Sequence, residues 1–187
     1  KKPHKILVEA CNNFFYQKPK NIIAVTGTNG KSSVADFFYQ IFSLNKISAA
    51  SIGTLGIKKN NKIKKINLTS PDLISLHKEL YSIKREKIDN VIIEASSHGL
   101  KQGRLDGIKF KAGIFTNFTQ DHLDYHLTMK DYFNSKMILF TKLLEKKRHI
   151  IVDEKDNEFN KIKKIAKQKN IKILKANSIR HKLEKKI

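Results

Sequence analysis

The sequence predicts an α/β fold in which helices flank a mostly parallel sheet. Short apolar runs of strand length alternate with longer segments of helical periodicity, a pattern typical of βαβ units. Polar segments with chemically active side chains follow several of these runs, and ligand sites in such sheets lie at the carboxyl ends of the strands. Hydrophobic residues make up 40% of the 187 residues, which predicts a globular core rather than a disordered chain.

The first half of the chain supplies three helices, two strands and a hairpin. A helix over 3–16 precedes strand 21–26, whose sequence NIIAVT is apolar and β-branched. The apolar face of the next helix, 33–44, comprises Val34, Phe37, Phe38, Ile41 and Phe42. A second strand spans 47–52, and 55–68 is predicted to form a hairpin that turns at 59–62. Ser70 is the predicted N-cap, with Pro71 at the first helical position, of a helix to about residue 87.

The second half continues the alternation. The runs 90–95 and 111–116 predict two more buried strands. Thr128 is the predicted N-cap of a helix over 129–146, which leads to a strand over 149–152. A helix over 156–168 and a strand over 171–174 follow, and the tail from Ala176 is expected to fray. The sheet is therefore predicted to have about six strands, with one additional hairpin.

The composition limits the classes of function. A formal net charge of +21 is typical of nucleic-acid-binding proteins, but only four of the 38 basic residues are Arg, which base readers favour. Lys, Ile and Asn share A/T-rich codons, so codon bias accounts for the excess, and attraction of polyanions stays open as the alternative. The single Cys11 excludes an intramolecular disulfide and a cysteine-based zinc site. No apolar run approaches the roughly 18 residues of a membrane span. We expect a cytoplasmic protein that binds neither nucleic acid nor membrane.

The segment 26–33, TGTNGKSS, follows a predicted strand and leads into a helix, as a phosphate-binding loop does. Its glycines allow successive backbone N–H groups to point at an anion at the positive end of the helix dipole. Lys31 would reach the β- and γ-phosphates of a nucleotide, and the Ser32 hydroxyl would bind Mg²⁺. Val25 stands where the full motif has Gly, so an ordinary Gly-rich turn is the alternative.

Two further polar segments follow predicted strands. Glu94 ends the strand 90–95, where a carboxylate could hold the Mg²⁺ of a nucleotide; the alternative is a Glu that simply starts a loop. The nearby Ser and His do not form the Gly-x-Ser-x-Gly elbow of a hydrolase. The segment 121–126, DHLDYH, contains two acids and two histidines, which suit metal binding or proton transfer, although a polar loop with satisfied histidines explains it equally well.

Lys136 lies unusually close to the apolar face of its helix. It falls within about 60° of the centre of that face at 100° per residue. The face comprises Phe133, Met137, Phe140 and Leu144. Burial favours the neutral amine, which can react with CO₂ to give a carbamate, an anionic oxygen ligand suited to Mg²⁺. The alternative is that the side chain extends to solvent.

Together these segments resemble the Mur ligase family over about residues 20–152. The resemblance rests on Thr26-Gly27-Thr28-Asn29-Gly30-Lys31-Ser32, Glu94-Ala95-Ser96-Ser97-His98-Gly99-Leu100, Asp121-His122-Leu123-Asp124-Tyr125-His126 and Lys136. Members have a UDP-binding domain, a central P-loop NTPase-like ATPase domain and a C-terminal domain for the incoming amino acid. The resemblance implies that residues 1–20 end the first domain, that 21–187 form the N-terminal portion of an incomplete central domain, and that the third domain is absent.

The resemblance also implies roles for individual residues. ATP would be bound by Gly27, Thr28, Asn29, Gly30, Lys31, Ser32 and Ser33. Ser32 and Glu94 would hold one Mg²⁺, and His122 and carbamylated Lys136 a second, with Lys31, His122 and Lys136 catalytic. The UDP-linked substrate would contact Thr69, Ser70, Ser96, Gln102 and Arg104. The chain departs from the family where Ser32-Ser33 replaces the usual Thr-Thr pair and where Leu68 replaces an Asn found in some members.

The implied activity is ATP-dependent addition of the third amino acid to UDP-N-acetylmuramoyl-L-alanyl-D-glutamate, through an acyl phosphate, in peptidoglycan synthesis. The partners are then small molecules, including a diamino acid that is either meso-diaminopimelate or lysine, and we expect a monomer that is inactive as this piece alone. One alternative is another Mur-type or folylpolyglutamate-type ligase. A nucleic-acid-binding module is the other, and it would bind without ATP and with steep salt dependence.

Overall fold

A single eight-stranded sheet organises the chain, whose computed structural model describes residues 2–122 and 124–176. The strands are β1 (Asn21–Thr26), β2 (Ala49–Gly53), β3 (Gly56–Lys59), β4 (Lys62–Lys64), β5 (Asn90–Glu94), β6 (Phe110–Phe115), β7 (Leu144–Val152) and β8 (Lys172–Lys175). Their order is β4-β3-β2-β5-β1-β6-β7-β8. The six strands from β2 to β8 in this order are all parallel to their neighbours. At the edge, β3 pairs antiparallel with β2 and β4 pairs antiparallel with β3. The predicted fold class, six parallel strands with one hairpin, is confirmed.

Helices cover both faces of this sheet. They are α1 (Pro3–Phe14), α2 (Lys31–Leu44), α3 (Leu73–Arg85), α4 (Ser97–Lys101), α5 (Met129–Ile138) and α6 (Phe159–Lys169). On one face the larger core joins buried side chains of α3, α5 and α6 to strand residues such as Ile22, Ala24 and Ile93. On the other face Ala35 of α2 packs with Val25 and Ile92. Successive residues of a strand point to opposite faces, so a strand buried on both faces has a continuous apolar sequence.

The start of α3 differs from the prediction. The helix begins at Leu73, and its N-cap is Asp72, whose Oδ1 accepts the backbone N–H of Ser75 at 3.0 Å. Ser70 and Pro71 therefore lie outside the helix, and the prediction that Ser70 caps it was wrong. The Ser70 side chain is fully buried, and its hydroxyl donates instead to the carbonyl of Glu94 at the end of β5. Asp and Ser are about equally good caps, so the choice between them depended on this tertiary contact.

The predicted helix over 129–146 is shorter than expected. Thr128 does cap it, accepting the N–H of Asp131 at 3.1 Å, but α5 ends at Ile138 and a π-helical turn, Leu139–Leu143, follows. Strand β7 then begins at Leu144, five residues before the predicted start, because Leu144 already pairs with Phe110 of β6.

The bounds of other elements differ from the prediction by a few residues: β2 spans Ala49–Gly53 and α6 begins at Phe159. Helix α2 begins at Lys31, two residues before the prediction, and the short α4 was not predicted. The tail predicted to fray lies, from residue 177 onward, outside the described residues. No helix within residues 2–122 and 124–176 is both long and apolar enough to cross a membrane.

Candidate functional site

The loops that follow β1, β5 and β6 meet at one edge of the sheet. Strand β1 lies between β5 and β6, and all three are parallel, so their carboxyl ends are adjacent. An open cleft of about 250 Å³ lies there. Its lining comprises Thr28, Asn29, Gly30, Lys31, Ser32, Ser33, Thr54, Thr69, Ser96, Ser97, His122 and Lys136. The cleft therefore contains most of the residues that the sequence analysis singled out.

The turn between β1 and α2 has the close backbone packing of a phosphate loop. Gly27 has φ +145°, and a Cβ at this position would lie 1.9 Å from the Thr116 hydroxyl oxygen. Gly30, the N-cap of α2, has φ +82°. The side chain and carbonyl of Asn117 accept the backbone N–H groups of Asn29 and Thr28, each at 2.9 Å. The loop after β6 thus holds the turn in shape.

Lys31 at the start of α2 turns back over this loop. Its ammonium donates to the carbonyl oxygens of Gly27 at 3.0 Å and Thr28 at 2.6 Å. Burial lowers the pKa of Lys31, and the carboxylates of Glu94 and Asp121 oppose that shift. An anion in the cleft would therefore meet a cation whose hydrogen bonds go to neutral carbonyls.

Glu94 is almost fully buried, with 1% of its surface exposed, at the end of β5. Its Oε2 accepts the Ser32 hydroxyl at 2.9 Å, and its Oε1 accepts the backbone N–H of Thr54 at 2.9 Å. Gly53 makes room for it, because a Cβ there would lie 2.0 Å from Oε1. The carboxylate is thus fixed beside the helix that carries Lys31.

The paired oxygens of Ser32 and Glu94 fit a Mg²⁺ ion. Mg²⁺ takes one or two protein oxygens and completes its shell with water and substrate phosphates. Among residues 2–122 and 124–176 no group of three or more His, Cys, Asp or Glu side chains is arranged for a metal ion. A pair of protein oxygens suits a metal whose remaining ligands come from water and a nucleotide.

Lys136 on α5 is buried, and only 1% of its surface is exposed. Its ammonium donates to the Gly27 carbonyl at 2.7 Å and lies 4.2 Å from the centre of the Tyr132 ring. Burial, reinforced by repulsion from Lys31, lowers its pKa to about 7, although Asp121 opposes the shift. The expectation that this lysine faces inward is met, and the amine is half neutral near pH 7.

His122 reaches the same cleft from the loop after β6. Its backbone has φ +53°, and its N–H donates to Oδ1 of Asp121 at 2.8 Å. The imidazole Nε2 lies 3.4 Å from Oδ2 of that carboxylate and remains partly exposed. A half-exposed imidazole at the cleft wall is accessible to a ligand.

The other histidines of this region form an aromatic cluster behind His122. His98 lies against Tyr125, with ring centroids 4.0 Å apart, and 5.5 Å from the ring of His126. His126 is fully buried, and burial lowers its pKa. The backbone N–H of His126 donates to the carbonyl of His122 at 2.9 Å, so the cluster supports the loop that carries His122.

Of the residues predicted to contact a UDP-linked substrate, Thr69 and Ser96 line the cleft. Ser70, Gln102 and Arg104 lie outside that lining and connect to it through hydrogen bonds. The Ser70 hydroxyl donates to the Glu94 carbonyl at 2.8 Å and accepts the N–H of Ser96 at 3.0 Å. Arg104 donates through Nε to Gln102 Oε1 at 2.8 Å and through Nη1 to the Ser70 carbonyl at 2.9 Å. Ser70 thus ties two loops together, and the roles of these residues toward a substrate stay predictions.

Sequence reasoning missed three residues that shape the site. Gly53 and Thr54 hold Glu94, and the Tyr132 hydroxyl donates to Thr28 Oγ1 at 3.3 Å. Gly53 and Thr54 directly follow the predicted strand 47–52, so their place at a strand's carboxyl end was the available signal. Tyr132 offered no comparable signal.

The fold and site define the chain as an α/β domain with a P-loop-type turn after the central strand of its parallel sheet. The family model "Mur ligase middle domain" matches residues 25–186, and the chain belongs to that family. The resemblance drawn from the motifs is thereby confirmed.

The chain is similar to a UDP-N-acetylmuramoyl-L-alanyl-D-glutamate--2,6-diaminopimelate ligase from Rhizobium meliloti. The two are 46% identical over a region that covers 77% of this chain and 30% of the ligase. A solved structure with that name superposes with a TM-score of 0.78 at 30% identity, covering 90% of this chain and 34% of the other. A Mycobacterium tuberculosis folylpolyglutamate synthase, complexed with ADP, has a TM-score of 0.72 at 12% identity over 93% and 46% of the two chains, and shares the fold. The chain spans about a third of the length of the two diaminopimelate ligases.

Proposed function

We propose that this chain provides ATP-binding machinery for an amide ligase that joins a diamino acid to UDP-N-acetylmuramoyl-L-alanyl-D-glutamate, in cytoplasmic peptidoglycan-precursor synthesis. The observation that carries the proposal is the convergence of Lys31, the Ser32–Glu94 pair, His122 and Lys136 on one edge of the sheet. The names of its relatives support the substrate, and favour 2,6-diaminopimelate as the diamino acid.

The reaction proceeds in two steps. An oxygen of the D-glutamyl carboxylate attacks the γ-phosphorus of ATP, which gives an acyl phosphate and releases ADP. The amine of the diamino acid then attacks the acyl carbon, forms the amide bond, loses a proton and expels inorganic phosphate. Phosphoryl transfer of this kind depends mainly on positioning and on electrostatic stabilisation of the phosphoryl oxygens.

The residues of the turn would bind and orient the triphosphate. Backbone N–H groups at the start of α2 face the phosphates, where the helix dipole favours negative charge. Lys31 exchanges its carbonyl partners, Gly27 and Thr28, for phosphate oxygens. Ser32 and Glu94 would hold Mg²⁺, which neutralises negative charge on the nucleotide when bound.

Lys136 is proposed to become a carbamate. The neutral amine attacks the carbon of CO₂ and releases a proton, which replaces a cation with an anionic oxygen donor. The low pKa of about 7 supports this chemistry, because the reactive neutral form is abundant at physiological pH. Together with His122, the carbamate would offer a second site for Mg²⁺.

The folylpolyglutamate-type alternative is supported by the fold alone, because this chain and the folylpolyglutamate synthase are 12% identical. Within the proposed ligase, Thr69, Ser70, Ser96, Gln102 and Arg104 stay candidates for contact with the UDP-linked substrate. The fully buried Ser70 acts through its neighbours, whereas Arg104 is only partly buried and can offer a cation to an acidic group.

Binding of a fluorescent ATP analogue to this chain, with and without Mg²⁺, tests the proposal. Lys31→Ala should weaken Mg²⁺-dependent binding by about 100-fold, because a charge-assisted contact to phosphate is lost. Lys109→Ala is the matched control, because its side chain is 85% exposed and lies away from the cleft lining. Equal binding by the Lys31→Ala variant and the control would contradict the proposed site.

A further inference from the structure

Thr54 contacts two parts of the site, and the proposed reaction assigns it no role. It lies in the two-residue turn between β2 and β3, which pair antiparallel up to Gly53 and Gly56. The tight turn fixes its backbone, and Thr54 lines the cleft. Its own polar groups point to Glu94 and to Thr69, two residues far apart in the sequence.

Thr54 holds both oxygens of the Glu94 carboxylate. Its backbone N–H donates to Oε1 at 2.9 Å, and its hydroxyl lies 3.2 Å from Oε2. The same Oε2 accepts the Ser32 hydroxyl at 2.9 Å. The last torsion of a Glu side chain is broad, so a carboxylate held only by Ser32 would rotate. The two Thr54 contacts, with the wall at Gly53, leave one orientation.

The Thr54 hydroxyl also reaches the loop before α3. It lies 3.0 Å from the hydroxyl of Thr69, at the side of the cleft where the UDP-linked substrate is proposed to bind. A single hydroxyl donates one proton and accepts others, so it can bond to both groups at once. Thr54 is therefore in contact with the cation side and the substrate side of the cleft.

We propose that Thr54 is a positioning residue that orients Glu94 toward the Mg²⁺ of bound nucleotide and links that carboxylate to the Thr69 loop. This inference rests on the proposed function, because it assumes Mg-ATP in the cleft. Residues that orient metal ligands by hydrogen bonding typically change metal affinity by about 10–100-fold when they are replaced. The Thr54 hydroxyl should therefore set the Mg²⁺ requirement of nucleotide binding.

Two variants isolate the Thr54 hydroxyl, and two others serve as comparisons. Thr54→Val keeps the side-chain shape and the backbone N–H but removes the hydroxyl, and Thr54→Ser restores the hydroxyl. Thr141→Val is the matched control, because it removes a hydroxyl that bonds the Met137 carbonyl at 2.9 Å in the π-helical turn. Gly53→Ala disturbs the same carboxylate from its other side, through a Cβ that would lie 2.0 Å from Oε1.

The readout is the Mg²⁺ concentration that gives half of the Mg²⁺-dependent gain in affinity for a fluorescent ATP analogue. Thr54→Val and Gly53→Ala should raise it about tenfold, while Thr54→Ser and Thr141→Val stay within about twofold of the original chain. Affinity measured in EDTA and the thermal unfolding midpoint should change little in Thr54→Val.

Two results would overturn the inference. If Thr54→Val needs no more Mg²⁺ than Thr141→Val, the hydroxyl does not position Glu94. If it weakens binding equally with and without Mg²⁺, its role is structural. In either case Lys31-dependent binding by the original chain would leave the proposed function standing, whereas loss of that dependence would remove the proposed function and this inference together.

Discussion

Lys136→Met measures the energetic consequence of placing an ammonium group in the interior. The side chain is 1% exposed, and burial lowers its pKa from 10.5 to about 7. Between these two pH values the unfolded chain keeps the proton that the native chain has released. Stability therefore rises with pH in this window and is lost as pH falls through it.

The size of the effect follows from the same pKa values. For the original chain, the free energy of unfolding should rise by about 2 kcal/mol between pH 7 and pH 9 from this group alone. The Met variant has no group to titrate at this position. The difference in free energy of unfolding between this variant and the original chain should therefore change by that amount between pH 7 and pH 9, in favour of the original chain. Met also fills the apolar space beside Tyr132 without a charge.

Urea unfolding followed by circular dichroism at several pH values provides the assay. The buffers should be free of CO₂, Mg²⁺ and nucleotide, so that only the proton competes for the amine. Lys109→Met is the control, because Lys109 is 85% exposed. The free energy of unfolding of this variant should change with pH as that of the original chain does. If the free energy of unfolding of Lys136→Met also changes with pH as that of the original chain does from pH 7 to pH 9, the reasoning about a buried amine is refuted.

Three further predictions concern the phosphate loop, a helix cap and the carbamate. Gly27→Ala should lower the free energy of unfolding by about 1–3 kcal/mol, because φ is +145° and the new Cβ would meet Thr116; a variant as stable as the original chain in urea would speak against the described turn. Asp72→Ala should lower it by about 1 kcal/mol through loss of the α3 cap, and unchanged urea unfolding would show that the cap adds nothing. In ¹³C-bicarbonate at pH 8, NMR should show a carbamate signal that disappears in Lys136→Arg, and a signal that persists would assign the carbamate elsewhere.

Sequence reasoning succeeded where a local pattern and the tertiary environment agree. The central residues of β1 and β5 are apolar on both faces, and β6 is apolar apart from the exposed Lys111, so their identity as buried parallel strands could be predicted. Helical periodicity placed Lys136 near the apolar face of its helix but left extension to solvent open, and the structure decides between the two because the side chain is 1% exposed.

Prediction failed where contacts distant in sequence decide the local structure. Periodicity continues past Ile138, yet pairing of Leu144 with Phe110 on β6 draws the chain into a strand, and the π-helical turn joins the two geometries. Ser70 and Asp72 are both good caps, and the bond from Ser70 to the Glu94 carbonyl leaves the cap to Asp72. Neither contact can be seen in a window of neighbouring residues.

The two amines of the cleft explain why a carbamate and a cation belong together in this proposal. Lys31 and Lys136 both donate to the Gly27 carbonyl, at 3.0 Å and 2.7 Å, and their mutual repulsion helps to lower the pKa of Lys136. A bound triphosphate alone would reverse that shift, because a nearby anion favours the ammonium form. Carbamylation instead replaces that cation with an anion, which repels the phosphates unless a cation lies between them. The proposed carbamate would therefore need a cation between it and the nucleotide, a role that Lys31 or the proposed Mg²⁺ would fill.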